Sequence, residues 1–349
     1  MIMGVNETNV LMQQAAAPGA QPESWNDGPW LVADIGGTNA RMAWVGAEGA
    51  AVSCVRTLPV AAYATPADAI QAYLATLAAE QGAAWRAPRR AAIAVATAVA
   101  GDEVAFTNSH WRFSRTGLQA QLGLDSLQVL NDFEALALSL PRLGAGQLRA
   151  HGALPQAAGT LAVIGPGTGL GVAGVTQTRH GWLALPGEGG HATLAPADDF
   201  ESELLRHVRG EFPHVSAERL LSGIGMPTLY RGVAGVLGVA PAELTTEAIV
   251  QAGLAGTDAA CSRTVDQFCA LLGSFAGSVA LTLGARGGVY IGGGIVPRLG
   301  ERFFTSQFRA RFEAKGRFEP YLAAIPTALI TDTLAALTGA ALAIEQRDA

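Results

Sequence analysis

The chain has one lysine, Lys315, in 349 residues. That scarcity removes two common ways of holding a nucleotide: no lysine closes a G-x-x-x-x-G-K-[ST] loop, and none sits on a strand as in protein kinases. Any bound phosphate must be met by backbone amides, hydroxyls, arginine or a metal ion. Charge is sparse too, at 15% of residues, with a net charge of −6. A nucleic-acid footprint needs clustered Lys and Arg, so no nucleic-acid partner is expected and small polar ligands fit better. Three cysteines, Cys54, Cys261 and Cys269, form no C-x-x-C pair. With no histidine spacing suited to zinc, they read as reduced thiols of a cytoplasmic protein. Residues 1–29 contain neither Lys nor Arg and no basic start before an apolar core. They read as a flexible extension, not a signal peptide.

Residues 154–178 and 267–285 carry no charged side chain. The first holds Pro155, Pro166 and six glycines, which no spanning helix carries at that density. The second contains Gly273 and Gly277 at membrane-packing spacing, but also Ser274, Ser278 and Thr282. It reads as a soluble buried helix with a small-residue contact face, and no membrane partner is expected.

What the chain has in abundance is glycine. Asp34-Ile35-Gly36-Gly37-Thr38-Asn39 joins the apolar run 31–33 to 41–45, and Gly165-Pro166-Gly167-Thr168-Gly169-Leu170-Gly171 joins 161–164 to 172–175. Short apolar, β-branched runs bounded by glycine predict strands, so each turn predicts a hairpin. Glycine lets the backbone come close to a ligand, and successive N–H groups can converge on a phosphate. An ordinary hairpin turn is the competing reading for either motif alone. The spacing of the second is G-x-G-x-G-x-G, which excludes the Rossmann fingerprint.

The rest of the pattern alternates strand and helix. Helices are predicted over 67–81, 115–122, 133–140 and 333–346, with an apolar run at 91–99 and strands at 104–106, 127–130 and 288–291; beyond Pro196 the chain reads as mostly helical until that last strand. Alternation of this kind gives an α/β class with mixed sheets. The second glycine turn restarts a similar order, which implies two related lobes with ligands between them.

Asp132 stands where a strand gives way to a helix, the place where open α/β sheets present ligand-binding groups; helix capping is the alternative role. Glu188 and His191 lie in the loop Pro186-Gly187-Glu188-Gly189-Gly190-His191, and Glu218 reads as the first turn of a helix. Each also has a bland role as a loop polar group or a helix-dipole partner. Glu188 and His191 lack an apparent third zinc ligand. Together with Asn131, however, these carboxylates, imidazole and amide suit a ring of sugar hydroxyls. Each hydroxyl both donates and accepts, so such groups fix its orientation.

In combination, Asp34-Ile-Gly-Gly-Thr-Asn-Ala-Arg41, Asn131-Asp-Phe-Glu-Ala135, Gly167-Thr-Gly-Leu-Gly171, Pro186-Gly-Glu-Gly-Gly-His191, Ser216-Ala-Glu-Arg-Leu-Leu-Ser-Gly223 and Gly292-Gly-Gly-Ile-Val-Pro-Arg298 resemble the bacterial ATP-dependent glucokinases, in order, from about residue 30 onward. The resemblance implies a two-lobed hexokinase/actin-like ATPase fold with an interdomain cleft. The small domain would comprise residues 30–141 with 333–349, and the large domain 142–332. It implies a homodimer that uses ATP, Mg2+ and glucose. Asp132 would be the catalytic base, with Asn131, Glu188, His191 and Glu218 binding the sugar. Ala33, Asp34, Ile35, Gly36, Gly37, Thr38, Gly167, Thr168, Gly169 and Gly293 would line the nucleotide, with Asp34 reaching the metal through water. The chain departs from the family at Ala96-Thr97-Ala98 and at Thr331-Asp332-Thr333-Leu334. Another hexose such as N-acetylmannosamine, another donor such as polyphosphate, or a sugar-sensing regulator are the competing readings; the last would bring a basic helix-turn-helix that residues 1–29 lack.

Overall fold

The computed structural model describes residues 28–106 and 109–346. The predicted extension, residues 1–29, therefore lies outside the described residues apart from Gly28 and Pro29.

Two mixed sheets form the frame. The first holds β1 (Trp30–Ile35), β2 (Asn39–Val45), β3 (Ser53–Pro59) and β4 (Arg90–Val95); after the small ribbon of β5 (Glu103–Ala105) and β6 (Arg112–Ser114), β7 (Ser126–Asn131) completes it in the order β3-β2-β1-β4-β7. The second holds β8 (Leu148–His151), β9 (Thr160–Pro166), β10 (Leu170–Thr178), β11 (Gly181–Gly187), β12 (Gly288–Ile291) and β13 (Thr327–Ile330) in the order β11-β10-β9-β12-β13-β8. An antiparallel meander leading into parallel strands thus occurs twice, as the repeated glycine turn implies, with β8 as an added antiparallel edge. Inner strands β1, β4 and β9 are buried almost throughout. Their near-continuous apolar sequences are what a strand covered on both faces requires.

The helices begin where short polar side chains can cap them. Thr65 and Asp68 form a capping box at α1 (Pro66–Gln81), and Ser114 caps α2 (Arg115–Leu122). Then come α3 (Asp132–Ser139), α4 (Asp199–Arg209), α5 (Met226–Leu237), α6 (Thr246–Ala255) and α7 (Ala259–Leu283). Asp258 caps α7, and Gly284 ends it in the left-handed conformation at φ 64°. This apolar helix is long enough to span a membrane, yet 83% of its most apolar window is buried inside the protein. Gly273 and Gly277 explain how. They let the short helix Phe308–Glu313 lie against α7, where a methyl on Gly273 would sit 2.9 Å from the carbonyl carbon of Phe308.

The C-terminal helix, Ala335–Gln346, ties the two sheets together. Leu337, Ala340, Ala341 and Ile344 pack on Trp30, Val32, Ala43, Val45 and Ala92 of the first sheet. Its Leu342 and Ala343 join a cluster with Ala135 and Leu138 of α3 and with Val163, Val175 and Tyr290 of the second sheet. At the crossing with α3, Gly339 leaves no room for a side chain against the main chain of Ala135 and Ser139. One difference from the sequence pattern stands out: the apolar run 91–99 yields a strand only to Val95. Its neighbours β1 and β7 end in register at Ile35 and Asn131, so the later residues have no ladder to join.

Candidate active site

The glycine turns lie at the C-terminal ends of β1 and β9, the strands that open the antiparallel meander of each sheet. The first is closed by the N–H of Gly36 donating to the carbonyl of Asn39, 2.9 Å, and the second by Gly167 donating to Gly169, 2.9 Å. The parallel ladders align Ile35 with Val95 and Val95 with Asn131. Two strand spacings therefore separate the first turn from Asn131, roughly 10 Å. Asp34 and Asp132 thus share the carboxyl edge of one sheet, where a crevice can form.

The cap of α3 is Asn131 and not Asp132. Asn131 Oδ1 accepts from the N–H of Phe133 at 2.9 Å, Glu134 returns to the N–H of Asn131 at 3.4 Å, and Asn131 Nδ2 donates to the carbonyl of Thr97 at 3.2 Å. The N-x-x-E spacing of a capping box was present in the sequence to signal this. Relieved of that duty, the Asp132 carboxyl accepts from the N–H of Phe133 at 2.9 Å, with weaker support from its own N–H and from the Asn131 amide. Burial pushes its pKa up to about 6, offset in part by the Phe133 N–H, and the nearby charge of Asp34 raises it further. The charge of Asp34 is thus felt at Asp132 along the same sheet edge. Asp34 is itself held above the usual carboxylate range by burial, against the pull of Arg41, whose guanidinium lies 3.3 Å away.

On the other side, a single strap of chain links the loop 186–191 to the second turn. The N–H of Glu218 donates to the carbonyl of Gly190 at 2.8 Å, and Ala217 to Ala192 at 2.9 Å. Glu218 Oε2 accepts from the N–H of Leu170 at 2.8 Å, while its Oε1 lies 3.8 Å from His191 Nε2. Five residues on, Gly223 donates to the carbonyl of Gly167 at 2.7 Å. Glu218 is not on the first turn of a helix, as the sequence suggested. It lies in consecutive tight turns stabilised by Ser222 Oγ, which donates to the Glu218 carbonyl at 2.7 Å, and α5 starts later, at Met226. Glu188 and His191 are exposed. Among the described residues no three His, Cys, Asp or Glu side chains cluster as metal ligands, so a zinc site with these two has no support.

The glycines of the second turn divide by what they face. A methyl on Gly165 would lie 2.6 Å from Cε1 of Phe133, one on Gly171 would overlap the same ring, and one on Gly169 would lie 2.5 Å from Glu218 Oε2. Gly167 alone of the four faces open space. Gly293, at φ 76°, has its own close neighbour in the carbonyl carbon of Pro166, 2.6 Å from a methyl there, so it sits against the same turn. The two departures from the family pattern have structural uses: Thr97 supplies the carbonyl that holds Asn131, and Asp332 accepts from Gln147 Nε2 at 2.5 Å and from the N–H of Leu334 at 2.8 Å. The lone Lys315 is remote from all this, donating to the Ser274 carbonyl at 2.7 Å and to Ser278 Oγ at 3.0 Å. Lysine thus has no part in either glycine turn, and the cation nearest the first is Arg41. Arg41 and Phe133 are the contributors that residue-by-residue reading passed over; both stood inside the quoted motifs, one beside each key aspartate.

A family model described as Glucokinase matches residues 31–347. The chain belongs to the glucokinase family. It is 48% identical over 321 residues to a glucokinase of Chromobacterium violaceum, covering 92% of this chain and 89% of that protein. To a glucokinase of Neisseria meningitidis it is 46% identical over 318 residues, covering 91% and 95%. Among solved structures it resembles a glucokinase from an Antarctic psychrotroph, at TM-score 0.85 and 37% identity over 91% of this chain and 98% of that one. A glucokinase of Streptomyces griseus, solved in complex with glucose and AMPPNP, shares the fold at TM-score 0.60 and 21% identity, covering 91% and 100%. Family membership thus agrees with the two-lobed α/β architecture and with a kinase that uses ATP on a hexose.

Proposed function

We propose that this chain transfers the γ-phosphoryl group of ATP to the 6-hydroxyl of glucose, giving glucose 6-phosphate and ADP, as a cytoplasmic homodimer. The observation that carries the reading is Asp132: a carboxyl pushed up to about 6, chiefly by burial, which feels the charge of Asp34 in the first glycine turn and adjoins Phe133, whose ring meets the second. A base of that strength is ionised at neutral pH and still basic enough to take the hydroxyl proton as the O6–P bond forms. Asn131, Glu188, His191 and Glu218 orient the remaining hydroxyls; Asn131 keeps a carbonyl lone pair beyond its cap, and its amide stands beside the Asp132 carboxyl. The turns at residues 33–38 and 167–169 receive the phosphates, and Gly293 borders the adenosine. Residues 30–141 with 333–349 close on 142–332 around the sugar, which excludes water as a competing acceptor. Aligning donor and acceptor supplies ~7–11 kcal/mol of the barrier, and Asp132 a further ~10²–10⁴-fold.

A divalent cation suits the donor set. Asp34 is half-buried with Arg41 as its neighbouring cation, and among the described residues no side-chain cluster would strip a bare ion, which fits Mg2+ held through water and phosphate oxygens. When bound, that ion neutralises charge on the transferring phosphate. A coupled assay for ADP release tests the reading with glucose, mannose, fructose and N-acetylmannosamine as acceptors and ATP or polyphosphate as donors. Glucose with ATP should give the highest kcat/KM; turnover confined to another pair, or absent, refutes it. Light scattering on the purified protein should give the mass of a dimer.

A further inference from the structure

The glycines flanking the second turn are occupied before any nucleotide arrives. The ring of Phe133 fills the slot between Gly165 on β9 and Gly171 on β10, so close that neither position has space for a methyl group. Phe133 follows Asp132 directly, and its N–H makes the strongest hydrogen bond to the Asp132 carboxyl. We propose that Phe133 is a positioning residue: its ring, locked into the glycine slot of the second sheet, sets where the Asp132 carboxylate stands relative to the phosphate-holding turn. The inference rests on the reading of Asp132 as the base.

Three features support it. First, α3 starts at the edge of the first sheet, while Phe133 packs with the cluster of the second that includes Leu161, Val163 and Ala173. The ring is thus the link from one sheet's carboxylate to the other sheet's turn. Second, α3 is confined from behind, because Gly339 of the C-terminal helix abuts the main chain at Ala135 and Ser139. Seated at one end and blocked along its back, α3 cannot slide without losing one contact or the other. Third, Gly169 of the same turn faces Glu218, whose carboxylate holds the N–H of Leu170. The sugar-side carboxylate and the ring beside the base therefore grip the same seven residues, 165–171. The glycine pattern follows from these neighbours, and of its four glycines Gly167 is left to approach a ligand.

The test is a cycle of Phe133→Leu, Phe133→Ala, Gly171→Ala and the double variant Phe133→Ala/Gly171→Ala, with kcat, both KM values, glucose affinity by calorimetry and Tm measured for each. A displacement of about 1 Å at a catalytic group can lower turnover about 10²-fold. Phe133→Leu should lower kcat by about that factor while glucose affinity stays within a few-fold. The acid limb of kcat near pH 6 should persist, since the base is moved and not removed. Gly171→Ala should also lower kcat in the parent, and do so far less once Phe133 is Ala, because the clash is gone. Phe133→Met, which refills the slot with a flexible chain, should recover part of the loss and provides the comparison if the Ala variant does not fold. A Phe133→Leu enzyme with lowered Tm but near-parental kcat, or additive effects of Phe133→Ala and Gly171→Ala on kcat, would overturn the proposal. Asp132→Asn run alongside separates the two readings: full activity there defeats the base assignment itself, whereas its inactivity beside an active Phe133→Leu defeats the positioning role alone.

Discussion

At the scale of single residues, the site works by burial. Asp132 is held up near 6 because burial outweighs the hydrogen bonds it receives from Phe133, its own N–H and Asn131. The native state therefore binds its proton more tightly than the unfolded chain, whose value is near 3.8. Stability from this group is greatest below 3.8 and declines as pH rises toward 6. Replacing Asp132 with Asn removes the penalty: the variant should be more stable than the parent at pH 8, on the order of 1–3 kcal/mol, and not at pH 3.5. Urea unfolding at both values checks it. Glu218 holds the Leu170 N–H and lies 3.8 Å from His191, so in the proposed function one carboxylate serves both the sugar and the phosphate turn. Glu218→Gln weakens its hold on the Leu170 N–H along with its sugar contact, so KM should rise for both glucose and ATP; a rise for glucose alone would mean that the link to the turn has no role.

At the scale of elements, helix α3 gathers most of the function, and its first turn is where the sequence was most easily misread. Asp at a strand-to-helix junction suggests a cap, yet the neighbouring Asn131 takes that place with Glu134. Asn131→Ser should keep the cap and the stability, within a few tenths of a kcal/mol, but raise the glucose KM through loss of the amide; Asn131→Ala should also lose about 1 kcal/mol of stability. Farther along, Gly339→Ala would push the C-terminal helix off Ala135. Overpacking of this kind costs about 1–3 kcal/mol, and because α3 carries Asp132, kcat should fall with stability. Thermal unfolding and turnover measured on the same sample test that pairing.

At the scale of the whole molecule, the sequence was legible where local chemistry decides the outcome. The strands around both glycine turns, α1 with its Thr65 and Asp68 box, and the closing helix all lie where the spacing of apolar and capping residues puts them. The repeated strand order was legible as well, because the two glycine turns are alike. What escaped is what depends on residues distant in the chain. Nothing near Gly165 or Gly171 announces that Phe133 fills their slot, nothing around Val95 says that both neighbouring strands stop there, and nothing beside Glu218 predicts a run of tight turns instead of a helix. Glycine at three of the four positions in the second turn also makes room for a neighbouring side chain, Phe133 or Glu218, which the local sequence did not announce. The account as a whole stands on a carboxylate poised between two lobes, and the most direct measurement is the pH dependence of kcat for the parent and for Asp132→Asn, with glucose affinity measured in parallel. We expect a parental acid limb near pH 6, and a variant that binds glucose but turns over ~10²–10⁴-fold more slowly with that limb gone. A variant with near-parental kcat and an unchanged acid limb would contradict the account.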